Sequence, residues 1–383
     1  KTIIKGRGII VEDRFPNISG FTGNTNDEEK FLLLSRYDGD IKESVVELID
    51  LQSFNIIHTW NPDLDSVIKK NGVVDVMFHP MLIEDGSLIF QHSVGSLIKI
   101  NKKSEFEWIK DDEFYHHSNE RDSDGNIWVC VSYFPYKIDK KYVGDKLGNY
   151  SDHGIRKISP SDDIIFDKSV SEIFIENGME YLLFSVGDPV FTRDPIHLND
   201  IQPVENDTKY WKKGDVFLSL RHQSMILLYR PKTNEIIWKS TWEFYHQHDV
   251  DILDDSRISI FNNNSKNTFS GYITDGNNSV VIYDFETDKY SHYLNESLKK
   301  ENVRTPTQGR NQILPNGDLF FEETDYGRTL YFSSDGSLRW THVNRGNDGN
   351  VYFVSWSRIL YEDEDIQKVH SFLKIKNEVT HNE

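Results

Sequence analysis

Four histidines stand at one recurring point of the chain, and their chemistry is the natural place to begin. His79 opens HPMLIEDGSLIF, His117 opens HSNERDSDGNIWV, His197 opens HLNDIQPV and His248 opens HDVDILDDSRISIF, with Gly309 at the fifth equivalent position. Imidazole is neutral near pH 7, so such a set can supply a nucleophile and a proton carrier without a metal. Asn199 follows His197 by two residues, which puts it on the same side of an extended segment. Arg221 ends the run VFLSLR, and its rigid fork suits a tetrahedral oxyanion better than the point charge of lysine does. Thr307, Gln308 and Arg310 flank Gly309 as candidate substrate-binding groups, together with His79. Taken singly, each histidine is explained as a packed residue and Arg221 as an exposed strand end. The recurrence argues for one shared pocket. Strand alternation turns His116 away from it, while Tyr115 and Tyr245 are candidate aromatic walls.

The elements that must position these groups repeat six times. Residues 45–60 (VVELIDLQSFNIIHTW) form an alternating apolar run, a polar turn and a second run ending in an aromatic. Residues 96–109, 154–170, 225–240, 279–293 and 327–342 repeat the pattern. Period-2 alternation bounded by Asn, Asp, Gly, Ser and Lys is the signature of strands. Between these hairpins lie the units that begin with the histidines, their tight turns carried by Gly86, Gly125 and Gly317. Two hairpins per repeat make a four-stranded sheet. Six such sheets predict an all-β, six-bladed β-propeller with short or absent helices and a site in its central channel. Strands over residues 31–35 and 351–355 are expected to meet and close the ring, because an open edge invites aggregation. The reading is one propeller domain over residues 1–361, followed by an acidic, polar tail over 362–383.

Composition narrows the partners. The 383 residues carry 43 Lys and Arg against 62 Asp and Glu, a net charge of −19. That balance opposes nucleic-acid binding, which needs a basic face, and opposes anionic membrane surfaces. No apolar run approaches the 18 or more residues of a membrane span. The single cysteine, Cys130, excludes an intramolecular disulfide framework and a thiolate zinc cluster, and its alternating apolar surroundings place it in a buried strand.

The segments DPIHLNDIQPV, GDVFLSLRHQSMILLYRPKTNEIIWKS and QHDVDILDDSRISIFNNN resemble the arylsulfotransferase family of six-bladed propellers, in the correct order. The resemblance implies transfer of a sulfuryl group from an aryl sulfate ester to a phenolic acceptor, without a nucleotide donor, cofactor or metal. It places the transiently sulfated histidine at His248. It also carries His197, His117, Asn199 and Arg221 into the catalytic pocket, and it implies export to a periplasm or the cell exterior. Two other classes stay open on the residues alone. The histidines could hold a metal in a propeller lyase or oxygenase, or the pocket could bind an anionic or aromatic ligand without catalysis.

Overall fold

The computed structural model describes residues 9–67, 76–93, 95–143, 150–185 and 191–380, with side chains as far as Lys374. Strand outweighs helix 44% to 12%, and six four-stranded blades make the fold the all-β, six-bladed propeller expected from the repeats. All six outer hairpins appear where the alternation put them, for example Met225–Arg230 with Glu235–Ser240 and Ser279–Asp284 with Lys289–Tyr293. Five blades pair such a hairpin with one of the histidine-led or glycine-led units, the sixth pairs it with strands from the two ends of the chain, and adjacent strands run antiparallel.

The blades fall into two compact units, Asp111–Thr307 and the union of Lys1–Lys110 with Gln308–Glu383. The first holds three blades that start at strands Phe114–Arg121, Leu198–Pro203 and Val250–Ile252. Its main core gathers Trp128, Ile155, Phe174, Leu198, Leu218 and Leu227. A two-stranded ribbon, Ser265–Thr268 with Gly271–Thr274, is inserted in the third of these blades and was not foreseen. Cys130 is fully buried in strand Ile127–Ser132, as expected, and desolvation pushes its thiol pKa up.

The second unit closes one blade with both ends of the chain. Phe31–Asp38 pairs with Arg358–Leu360, while Val351–Tyr352 pairs with Ile10–Val11. The expected meeting of residues 31–35 with 351–355 is therefore displaced. What remains of it is a bridge from Arg36 to Val354, with the Ser355 N–H to Ser35 carbonyl bond (2.9 Å) and the Tyr37 N–H to Phe353 carbonyl bond (3.3 Å) beside it. The segment expected as a polar tail is a helix, Asp363–Thr380. Asp363, Glu364 and Asp365 suit the positive end of its dipole. Ile366, Val369, Phe372 and Leu373 recur at helical spacing and pack against Phe31, Trp60 and Leu360. Gly86 shows how closely this helix docks. Its φ of +82° serves the turn, a Cβ would collide with the Phe372 ring, and its carbonyl accepts the Trp60 indole N–H at 2.9 Å.

Among the described residues, no helix is long and apolar enough to cross a membrane. Phe372→Ala should lower the stability of the helix-bearing unit by about 3–5 kcal/mol, the usual cost of emptying a buried phenylalanine site. Urea unfolding followed by tryptophan fluorescence checks this, and an unchanged midpoint would mean that the helix contributes nothing to the core.

Candidate active site

The recurrence of histidine has a backbone cause. His79, His117 and His197 all adopt left-handed φ, at 55°, 57° and 50°, and Gly309 has φ 112°. The pairing register shifts between Phe78 and Met81, between Tyr115 and Asn119, and between Leu198 and Asp200. Each is a bulge at or beside the left-handed residue. A non-glycine residue held there costs on the order of 1–3 kcal/mol, and such strain gathers at functional sites. His248 breaks the equivalence: in its blade the left-handed residue is His246, with φ 50°. The four histidines therefore share a place in the repeat but not one conformation. The bulge at His117 also cancels strand alternation, so His116 is not turned away. The two rings meet with Nδ1 atoms 2.7 Å apart.

From that contact a chain of imidazoles runs to a carboxylate within the unit Asp111–Thr307. His116 Nε2 lies 3.0 Å from His153 Nδ1, and His153 Nε2 lies 3.0 Å from Asp194 Oδ1. Asp194 Oδ2 is 2.6 Å from His197 Nδ1, and Oδ1 also accepts the His197 backbone N–H at 3.1 Å. Burial works against the charge on Asp194, yet the His153 and His197 bonds hold its pKa far below the usual carboxylate range. Asp194 is thus an acceptor only. Desolvation lowers His116 well below the ordinary imidazole value and takes His197 down to about 4, against the pull of Asp194. Both are neutral at pH 7. The ring centroids of His117 and His197 lie 5.2 Å apart, and those of His117 and His248 lie 6.0 Å apart.

His248 is buried, and its Nδ1 lies 3.0 Å from Asn263 Oδ1. The Asn263 amide N–H donates to the Thr305 carbonyl at 2.7 Å, which fixes the amide so that Oδ1 faces histidine. His248 therefore donates from Nδ1 and carries its lone pair on Nε2. Arg221 begins a turn just past strand Val216–Leu220 and is nearly buried. Its guanidinium sits 4.4 Å above the ring of Tyr272, from the inserted ribbon, and reaches His222 Nε2 at 3.4 Å. His222 donates from Nδ1 to the Asp194 carbonyl at 2.6 Å, and its ring lies 4.4 Å from that of His197. The Asn199 amide N–H donates to the Gln247 carbonyl at 3.0 Å, beside His248. Its buried Oδ1 has no hydrogen-bond partner, so in this arrangement Asn199 offers an acceptor.

The sequence reading thus located His117, His197, Asn199, Arg221 and His248 in one unit and missed His116, His153, Asp194, His222, Asn263 and Tyr272. The doublet His116-His117 and the Asp194-x-x-His197 spacing were visible signals. Tyr115 is no open wall, because its hydroxyl donates to Asp112 and accepts from Arg156 at 2.7 and 2.8 Å. Tyr245 is about half exposed. Thr307 lies on the loop that ends the same unit, partly exposed. His79, Gln308 and Arg310 belong to the other unit. There the His79 ring lies 4.1 Å from the Trp356 ring, and the Arg310 guanidinium lies 5.3 Å from the same ring.

Among the described residues, His153, Asp194 and His197 form the set whose donor atoms, all within 4.8 Å, approach what one metal ion requires. Two ligands on a tetrahedral ion, each about 2.0–2.1 Å from it, stand roughly 3.3 Å apart. The 2.6 Å and 3.0 Å separations here are those of N–H groups on a carboxylate. Hydrogen bonding accounts for the cluster.

No curated protein matches the chain in sequence. A protein of unknown function from Bacteroides caccae shares the fold at 12% identity, covering 86% of this chain and 98% of its own, with a TM-score of 0.50. A Kuenenia stuttgartiensis hydrazine synthase is similar at 11% identity over 86% of this chain and 80% of its own, with a TM-score of 0.45. The pattern of the arylsulfotransferase (ASST) family matches residues 79–345, which span the first strands of five blades and every group of the histidine network. The chain belongs to the arylsulfotransferase family.

Proposed function

We propose that this protein transfers a sulfuryl group from an aryl sulfate ester to a phenol, by way of a sulfohistidine on His248. The observation that carries the reading is the orientation of that ring. Asn263 takes its Nδ1–H, so the lone pair able to attack sulfur is on Nε2. In the first half-reaction the Nε2–S bond forms as the S–O bond to the aryl group breaks. The electron pair leaves on the phenolic oxygen, which takes a proton. In the second, the acceptor phenol gives up its proton and its oxygen displaces His248 from sulfur. Arg221 supplies positive charge to the sulfuryl oxygens as they gain charge in the transition state. Asn199 donates one of its two amide N–H groups to Gln247, which orients the amide and leaves the second N–H to donate to a sulfuryl oxygen. His197, with a pKa of about 4, is too weakly basic to hold a proton for the leaving group at neutral pH. The acid and base steps fall to His117. Export to a periplasm or the cell exterior remains part of the proposal, and cell fractionation tests it.

His248→Ala should abolish both donor consumption and acceptor sulfation, because both halves pass through one atom. Arg221→Ala should lower kcat by about 10²–10³-fold, as loss of one oxyanion donor does. Turnover of 4-nitrophenyl sulfate with and without added phenol measures both. Normal turnover by His248→Ala would point instead to direct transfer between bound donor and acceptor.

The lowered pKa values also set a pH window for stability. His197 and His246 both titrate at about 4 when folded, chiefly through desolvation, against about 6.5 in an unfolded chain. The unfolded state therefore binds more protons between these values, and stability falls as pH drops from about 6.5 to 4. His246→Asn should flatten that decline in urea midpoints measured at pH 7 and pH 5. An unchanged slope would contradict the assignment.

A further inference from the structure

The imidazole chain has a direction, and it follows from its fixed ends. Asp194 is ionised and can only accept, so His153 donates from Nε2 and His197 from Nδ1. A neutral His153 must then accept at Nδ1, where His116 donates from Nε2 and the Ser132 hydroxyl stands at 3.4 Å. A neutral His116 in turn accepts at Nδ1, where the partner atom is His117 Nδ1. His117 is thereby the Nδ1–H tautomer with its lone pair on Nε2. Among charged and titratable groups, His153, His197 and Asp194 act on His116, His222 acts on His197, and Arg221 acts on His222. The Val131 carbonyl also favours a ring N–H on His116.

We infer that His116 and His153 are positioning residues that form a proton relay between the catalytic His117 and Asp194. The relay works by three shifts in one direction. When a proton arrives at His117 Nε2, the His117 Nδ1–H moves to His116 Nδ1. The His116 Nε2–H then moves to His153 Nδ1. His153 becomes the imidazolium, ion-paired with Asp194, while His117 stays neutral with its proton on Nε2. Donation of that proton to the departing phenolic oxygen reverses all three shifts. One proton leaves the His153–Asp194 pair and one O–H bond forms, with no change of oxidation state. The acceptor phenol later returns a proton to His117 Nε2 and recharges the pair. Burial disfavours an imidazolium on His116, which makes it a conduit, and the chain of contacts ends where His153 Nε2 stands 3.0 Å from Asp194 Oδ1.

The inference rests on the sulfuryl-transfer reading for its kinetic test and is independent of it for its spectroscopic test. In nitrogen-15 NMR of histidine-labelled protein followed across pH, His117 should appear as the Nδ1–H tautomer, with His116 and His153 as Nε2–H, when His153 is neutral, and His117 should switch to Nε2–H and His116 to Nδ1–H together as His153 takes up a proton. Finding His117 as Nε2–H while His153 is neutral, or a neutral His153 as Nδ1–H, would overturn the relay whether or not the protein turns over. For kinetics, His116→Gln and His153→Gln should each slow phenyl sulfate, a poor leaving group, more than 4-nitrophenyl sulfate, a good one that needs little protonation. The rate ratio between the two donors should fall by about ten- to a hundredfold. Equal loss on both donors, with the fold intact by circular dichroism, would reduce the two histidines to packing. Failure of the wild-type protein on both donors would count against sulfuryl transfer, leaving the NMR result to decide the relay.

Discussion

Everything at the site depends on one carboxylate remaining ionised among imidazoles. Asp194 loses solvation where it sits, and alone it would be expected to take up a proton. Hydrogen bonds from His153, His197 and the His197 backbone restore what water supplied. In return the charge dictates which nitrogen of each ring carries hydrogen. Its own backbone carbonyl fixes His222 in the same way. The rule then propagates through neutral rings, each able to donate on one side and accept on the other. Asn263 imposes an equivalent orientation on His248 by a separate route. The outcome at His117, His197, His222 and His248 is a set of rings whose Nδ1 atoms are tied into the protein and whose Nε2 atoms carry lone pairs.

The backbone contributes the second constraint. A regular strand would send His116 and His117 to opposite faces. The left-handed conformation at His117 and the register shift beside it put both rings in contact. The same device stands at His197, and there Asp194 three residues earlier closes onto the ring. The strain is offset by blade cores of buried strand residues, such as Leu198 and Leu218, which make the bulges affordable. Rigid sheets with short irregularities at their starts are a means of holding several side chains at fixed separation.

Much of this was legible before any coordinates. Alternation and turn residues placed the six outer hairpins, because period-2 burial follows directly from strand geometry. The repeated histidines marked the starts of blades, since a recurring backbone irregularity leaves a recurring residue type. What alternation could not foresee were the bulges themselves, and His116 was misread for that reason. His153 stayed hidden because it opens the third strand of its blade, away from the repeated position. The register of His248 against His246 was likewise invisible, as both lie in one polar stretch. The helix Asp363–Thr380 could have been found from its acidic first turn and the spacing of Ile366, Val369, Phe372 and Leu373. Its overall polarity hid the stripe.

The central claim is that His248 carries the sulfuryl group between two half-reactions, and the intermediate itself is the most direct test. The protein would be mixed with an aryl sulfate in the absence of any phenolic acceptor, quenched in base and digested for mass spectrometry. The account predicts one acid-labile sulfo adduct per chain, on His248, together with one equivalent of released phenol. Transfer that proceeds with no adduct, or with the adduct on His117 or His197, would contradict it.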